Sequence, residues 1–220
     1  MLTAAFLKVF LGLFAMMNPI GNTGIFIGFM GDVPTAFKVR CALKTCFAVL
    51  VILEIAIFGG MEILDLFGIS IQAFQAAGGL IVLGIGMKML HGEGNPSQQT
   101  HGASAALEST EDREADVSSR MIVPLAMPIL GGPGSITTAV TVAAAFPTLE
   151  GKIGTALGTA ALVGTMLVCF SLSGVLSRFL SDHAQEIILR FMGLILVAIG
   201  MDMILGGAGA SLVKMGLLAH

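Results

Sequence analysis

The chain has 220 residues, of which 55% are hydrophobic and only 11% are charged, and its formal net charge at pH 7 is −3. Soluble domains carry about 25% charged residues, so this composition, with a mean hydropathy of +0.95, excludes a soluble globule and predicts an integral membrane protein. Trp and Tyr are both absent, so Phe is the only aromatic residue that could form an interfacial belt.

Six apolar segments are each long enough to cross a bilayer as a helix. In chain order they cover residues 4–30, 41–60, 72–90, 121–146, 153–177 and 187–206. Each segment far exceeds the ~10 residues of a transmembrane β-strand. The sequence therefore predicts an all-α membrane protein with six transmembrane helices. The first segment lacks the basic leader of a signal peptide, and we interpret it as a transmembrane helix.

The first segment is interrupted near its centre by the sequence "NPIGNT", which begins at Asn18. Pro19 lacks an N–H group and clashes with the preceding turn, so the helix should stop just before it. Gly21 permits the irregular backbone of a break. A second short helix could then begin with Asn22 or Thr23 as its N-cap.

The fourth segment carries a similar interruption, "GPGSIT", which runs from Gly132 to Thr137. Pro133 and Gly134 break the helix, and Ser135, Thr137 or Thr138 could restart it. A break in hydrocarbon exposes backbone groups that cost several kcal/mol each when they have no partner. Both breaks therefore require surrounding protein or a water-filled cavity.

The two halves of the chain resemble each other. The sequences "GLIVLGIGMKM" (Gly79–Met89) and "GLILVAIGMDM" (Gly193–Met203) match at seven of eleven positions, at an offset of 114 residues. The same offset carries Pro19 onto Pro133, so the two breaks also correspond. Each half would hold three spans, and an odd number inserts the second half upside down. The sequence predicts two inverted three-helix repeats, with the first helix of each repeat broken.

We predict three regions: a first transmembrane repeat over 1–90, a flexible linker over 91–120 and a second transmembrane repeat over 121–220. The linker is rich in Gly, Ser and acidic residues, as disordered segments are. If all six segments cross, eight of the eleven basic residues lie on the side of the linker. The positive-inside rule then makes the linker cytoplasmic and both termini periplasmic.

An alternative topology makes the broken segments re-entrant hairpins that do not cross. It also places the 31–40 loop and the linker in the cytoplasm, so charge alone does not separate the two topologies. We prefer full crossing, because about 26 residues at 1.5 Å each span ~39 Å.

The breaks are candidate binding positions for a small molecule. A helix N-terminus carries about half a positive charge and free N–H donors, which favour a carboxylate. Freed carbonyls and the Asn amides suit an ammonium group or a cation. A purely structural interpretation makes the breaks a pair of kinks that serve helix packing, but two matched breaks favour a binding site. The predicted substrate-binding residues are Asn18, Pro19, Gly21, Asn22, Thr23, Gly132, Pro133, Gly134, Ser135 and Thr137.

Glu54 is the one acidic residue well inside a predicted span. Charge at that depth is costly and often functional, so Glu54 is a candidate carrier of a coupling proton. The structural alternatives are pairing with a Lys, or a position at the membrane interface if the second helix is shifted. Lys88 and Asp202 share a repeat position near span ends, where snorkelling to the headgroups is expected.

No reactive constellation is seen in the sequence. The cysteines show no metal or redox spacing, the histidines have no matching ligands, and there is no nucleophile–base pair, phosphate loop or nucleic-acid signal. We therefore expect no enzyme activity, no cofactor and no metal. The expected partners are the lipid bilayer and a small-molecule substrate, with H⁺ or Na⁺ as candidate coupling ion.

The chain resembles the MarC family of bacterial inner-membrane proteins. The resemblance is carried by "NPIGNTGIF", "FGISIQAFQAAGGLIVLGIGMKML", "VPLAMPILGGPGSITT" and "RFMGLILVAIGMDMI", in the family's order and in both halves. It implies six spans, a plasma-membrane location and kinship with amino-acid exporters of the LysE kind. Many members carry a basic residue where this chain has Gln75.

The residues and the resemblance together predict a secondary transporter of small neutral amino acids or similar metabolites. Its substrate would lie between the two broken helices near the membrane midplane. A channel or passive pore on the same scaffold is the alternative, because it would use the same repeats without concentrating its solute.

Overall fold

A computed structural model describes residues 1–30, 34–91, 130–174 and 182–214. The described residues form seven helices: α1 (Leu2–Met17), α2 (Pro19–Met30), α3 (Thr35–Leu66), α4 (Ile71–Leu90), α5 (Pro133–Ala145), α6 (Leu149–Ser171) and α7 (Asp182–Lys214). The all-α prediction is confirmed for these residues. The predicted linker, apart from His91, and the start of the fourth predicted span (121–129) lie outside the described residues.

Four of these helices are long and apolar enough to cross a membrane: α3, α4, α6 and the Glu186–Lys214 part of α7. Large apolar side chains on their outer faces are exposed, including Phe47 and Leu80, as expected where lipid rather than water covers the surface. The first predicted span appears as two helices, α1 with 16 residues and α2 with 12, because the chain breaks between them.

Helix α1 lies along α6, and α2 contacts the end of α6. The start of α1 contacts the start of α6, where a Cβ atom on Gly154 would collide with the carbonyl oxygen of Leu2. On α2, the ring of Phe26 stacks on Phe170 with centroids 4.5 Å apart. The sixteen residues between these contacts on α6 cover about 24 Å. The sixteen residues of α1 cover the same length, so Phe26 lies near the end of α6 that the end of α1 reaches.

Helices α4 and α7 cross antiparallel through four glycines. A Cβ atom on Gly79 would lie 2.7 Å from the carbonyl oxygen of Gly200, and one on Gly86 would lie 2.8 Å from that of Gly193. Only glycine permits backbones to approach so closely. At the offset of 114, Gly79 corresponds to Gly193 and Gly86 to Gly200. Each contact therefore maps onto the other, as contacts across a two-fold axis do.

Helix α5 fills the space between α1, α3 and α4. Its Thr138 side chain would lie 3.2 Å from a Cβ on Gly12 of α1, and its Val140 packs closely on Gly60 of α3. Its Thr137 side chain occupies the space that a Cβ on Gly78 of α4 would need. Small residues on three neighbouring helices thus allow α5 to lie at the centre of the fold.

Candidate functional site

The first break is a single left-handed residue followed by a new helix. Asn18 has φ 35° and ψ 71° and is the one non-glycine residue with positive φ among the described residues. Its side-chain Oδ1 accepts a hydrogen bond from the Gly21 N–H at 3.1 Å, which makes Asn18 the N-cap of α2. Pro19 takes the first helical position, which it favours because its missing N–H is not needed there.

These contacts correct two local predictions. The N-cap of α2 is Asn18, and neither Asn22 nor Thr23 serves as the cap. Gly21 is helical, so the irregular backbone angle falls on Asn18. A side chain at Gly21 would instead collide with the Asn18 carboxamide, and glycine is required there for that reason.

The buried polar groups beside this break are bonded within the chain. Asn18, Asn22 and Thr23 are all less than 5% exposed. The Asn22 carboxamide donates to the carbonyl oxygen of Met17, the last residue of α1. The Thr23 hydroxyl donates to the Pro19 carbonyl oxygen at 2.7 Å. The break thus leaves few backbone groups without a hydrogen-bond partner in the apolar interior.

The second break begins α5 in the same way but without a side-chain cap. Gly132 is the N-cap, Pro133 is the first helical residue, and Ser135 lies inside the first turn. The Thr137 hydroxyl donates to the Pro133 carbonyl oxygen at 2.8 Å. This bond is the counterpart, at offset 114, of the bond from Thr23 to Pro19. The prediction that Ser135, Thr137 or Thr138 restarts the helix is wrong, because the helix already begins at the proline.

The two breaks lie close together. The terminal methyl of Met16, two residues before Asn18, occupies the space that a Cβ on Gly134 would need. Because Thr138 packs against Gly12 further back along α1, α5 runs antiparallel to α1. The N-terminal ends of α2 and α5 therefore adjoin at the break.

A cavity of about 600 Å³ extends from this region along α1, between α1, α5, α7 and the start of α4. We call it the α1–α5–α7 cavity. Most of its wall is apolar and comes from α1 and α7. Its polar lining residues are Lys8, Gln75, Thr138, Thr141 and Asp202. None of the ten predicted substrate-binding residues is part of its described wall.

Sequence reasoning did not assign this cavity. Asp202 was expected to anchor a span end, yet it lines the cavity wall. Gln75 was noticed only as a departure from the family pattern. The available signal was the position of Lys8 and Asp202 inside apolar helices, but nothing local indicates that residues so distant in sequence share one wall.

The remaining candidate residues lie elsewhere. Glu54 is half-buried on α3 and is not part of the described wall of the cavity. Within the described ranges, no three His, Cys, Asp or Glu side chains come together as a metal site would require.

Comparison with known proteins relates the chain to one family. Residues 3–212 match the model of the MarC family integral membrane proteins. The chain is 32% identical to "UPF0056 membrane protein YhcE" of Escherichia coli (strain K12), over 92% of this chain and 91% of that protein. It is also 32% identical to "UPF0056 membrane protein YvbG" of Bacillus subtilis (strain 168), over 95% of each. It is 31% identical to "UPF0056 inner membrane protein MarC" of Citrobacter koseri, over 89% and 90%. No solved structure matches the chain.

Proposed function

The chain belongs to the MarC family of integral membrane proteins, and we propose that it is a secondary transporter of small neutral amino acids or similar small metabolites. The substrate would lie where the two broken helices meet. The names of its relatives give membrane location and no substrate, so the proposal depends on the residues of the site.

The observation that carries the proposal is the meeting of two matched helix starts. Pro19 and Pro133 each begin a helix, and each accepts a hydroxyl bond from a threonine four residues later. Transporters built from inverted repeats hold substrates at discontinuous helices of this kind. A break in the membrane interior is costly, and two equivalent breaks brought together favour a shared binding role over two unrelated kinks.

The N-terminus of α5 is better able than that of α2 to donate hydrogen bonds to an anion. Asn18 caps the start of α2 and takes up the Gly21 N–H, whereas Gly132 offers no side-chain cap to α5. First-turn N–H groups and the helix dipole favour a negative group. A substrate carboxylate is therefore best placed at the α5 N-terminus, near Gly134 and Ser135.

The packing of α4 on α7 supports the finer architecture of two inverted repeats. The reciprocal glycine contacts between α4 and α7 have the form that a two-fold axis in the membrane plane would produce. For the broken first segment we prefer full crossing over a re-entrant hairpin, because about 26 residues at 1.5 Å each span ~39 Å. With the positive-inside rule, this gives a plasma-membrane protein with periplasmic termini and a cytoplasmic linker.

Transport by purified protein in liposomes tests the proposal. We expect saturable uptake of alanine, glycine or serine that exceeds the external concentration when an inward H⁺ or Na⁺ gradient is imposed. Protein-free liposomes are the control. Uptake that only equilibrates would favour the channel or pore, because a passive pathway does not concentrate its solute. Rates equal to the empty liposomes for the whole panel would reject both.

A further inference from the structure

We propose that the polar end of the α1–α5–α7 cavity binds the zwitterionic head of an amino acid, with Lys8 facing the carboxylate and Asp202 facing the ammonium group. This inference rests on the proposed function and deepens it. It names the substrate class by its charges and gives the substrate a first binding position outside the two breaks.

The packing register brings the polar lining residues of α1 and α5 to one level. Gly12 faces Thr138 across these antiparallel helices. Lys8 lies four residues before Gly12, and Thr141 lies three residues after Thr138, so both are about one turn away in the same direction. Lys8 and Thr141 therefore share one end of the cavity, away from the break.

The same end receives the polar residues of α4 and α7. Thr137 packs on Gly78 of α4, which runs antiparallel to α5, so Gln75 lies about one turn from that contact on the side of Thr141. A Cβ on Gly206 of α7 would lie 3.2 Å from the Gln75 amide nitrogen. Asp202 is one turn from Gly206, and it lines the cavity at this end.

The two charges at this end are opposite and are not paired with each other. Both side chains are exposed and line the same cavity. Within the part of the chain that the structure describes, neither Lys8 nor Asp202 makes a salt bridge or a hydrogen bond. Separate positive and negative groups across one cavity match the separate carboxylate and ammonium groups of a zwitterion.

Asp202 is poorly placed for the alternative role of a headgroup anchor. Gly207 packs against the Gln72 carbonyl oxygen at the start of α4, and Asp202 lies five residues further inside, about 7.5 Å along the helix. A Lys side chain has a long stem with which to reach the headgroups, and an Asp side chain does not. Carboxylates inside spans usually face a water-filled cavity or a partner, and Asp202 faces a cavity.

The rest of the wall favours a small, uncharged side chain. Below the polar end the cavity is lined by Leu11, Ala15, Ile195, Ala198 and Ile199. A volume of about 600 Å³ is within the range of small-molecule sites. The Thr141 hydroxyl is buried and has no hydrogen-bond partner among the described residues.

The residues at the polar end of the α1–α5–α7 cavity have no charged or polar equivalents of the same kind in the other repeat. At the offset of 114, Lys8 corresponds to Ile122, Thr141 to Ile27 and Gln75 to Leu189, while Asp202 corresponds to Lys88. The opposite charges are therefore particular to one end of the protein. In the proposed topology that end faces the periplasm.

Binding to the purified full chain tests the inference, with alanine and two analogues as probes. Ethylamine is alanine without its carboxylate, and propionate is alanine without its ammonium group. The parent should bind alanine well and both analogues weakly. Lys8→Gln and Asp202→Asn should each weaken alanine binding by roughly tenfold, the size of one lost charge-assisted hydrogen bond. Lys8→Gln should leave ethylamine binding unchanged, and Asp202→Asn should leave propionate binding unchanged.

Matched controls separate a local effect from a general one. Lys214→Gln and Asp65→Asn remove the same charges from exposed positions outside the described cavity wall and should bind alanine like the parent. Lys8→Arg keeps the positive charge and should retain most of the affinity, which also shows that position 8 tolerates substitution. Parent-like alanine affinity in both Lys8→Gln and Asp202→Asn would overturn the inference, as would a parent that binds none of alanine, glycine and serine.

Binding and transport then report on different claims. If the charge variants lose affinity but the parent fails to concentrate any amino acid, the zwitterion site stands and the transporter proposal falls. If the parent concentrates alanine and the charge variants bind it unchanged, the transporter proposal stands and the zwitterion site is rejected.

Discussion

The glycine crossing of α4 and α7 gives the sharpest prediction about stability, because the chain supplies its own control. Gly86 and Gly84 lie two residues apart on α4. A Cβ on Gly86 would lie 2.7 Å from the Val197 nitrogen and 2.8 Å from the Gly193 carbonyl oxygen, whereas a Cβ on Gly84 would meet nothing within 4 Å. The same substitution by alanine should therefore have opposite effects at the two positions.

The expected magnitudes follow from two terms. Alanine is better than glycine inside a helix by about 1 kcal/mol, so Gly84→Ala should stabilise the protein by up to that amount. At Gly86 the colliding atoms are backbone and cannot move aside, so the helices must separate. Overpacking costs about 1–3 kcal/mol, and we expect the upper end. Gly86→Ala should then lose about 2 kcal/mol net, roughly 3 kcal/mol below Gly84→Ala.

Unfolding of the purified protein in detergent measures this difference. Gly200→Ala should be destabilised about as much as Gly86→Ala, because Gly200 corresponds to Gly86 at the offset of 114 and its Cβ would lie 2.6 Å from the Leu83 nitrogen. Equal stability of Gly86→Ala and Gly84→Ala would refute the close crossing. A loss at Gly86 without a loss at Gly200 would refute the equivalence of the two repeats.

Three further predictions concern topology, coupling and the breaks. In a variant without native cysteines, a cysteine at Ser211 should be labelled only from the periplasmic side, and labelling from the cytoplasm would reject the crossing topology. If Glu54 carries the coupling proton, Glu54→Gln should abolish concentrative uptake in liposomes but retain substrate exchange. Unchanged accumulation in this variant would show that Glu54 has only a structural role. Thr23→Val and Thr137→Val should each weaken substrate affinity by about twofold to tenfold and combine non-additively, while Thr165→Val, which loses a similar bond on α6, should bind like the parent. Affinities within twofold of the parent for both single variants would contradict a shared site.

The sequence was sufficient to locate the breaks, because proline acts through its own covalent structure. Pro19 and Pro133 each begin a helix, and the described helix before Pro19 ends at Met17. The offset of 114 also relates the two hydroxyl bonds that the structure shows, from Thr23 to Pro19 and from Thr137 to Pro133. The cap was missed although the rule was available: a proline favours the first helical position, so the residue before it, Asn18, had to be the N-cap.

The α1–α5–α7 cavity could not be predicted in the same way. Lys8 and Asp202 are 194 residues apart, and their common wall depends on how α1, α5 and α7 pack. That packing is set by small residues such as Gly12 and Gly78, whose partners on α5 no local pattern identifies. The periodicity of an apolar helix surrounded by lipid and protein is also weak, so it does not show which face lines a cavity.

The contact between Met16 and Gly134 changes which experiment best tests the breaks. A large side chain at Gly134 would block a substrate there, but it would also displace the Met16 methyl that already fills the space. Loss of function in Gly134→Leu would therefore fit both a binding site and a packing kink. The threonine variants remove one hydroxyl and keep the shape of the side chain, and each hydroxyl bonds only within its own helix. A packing kink gives no reason for Thr23→Val to alter the effect of Thr137→Val on substrate affinity, whereas a ligand held by both helix starts does. The non-additivity of that pair is the result on which the shared site depends.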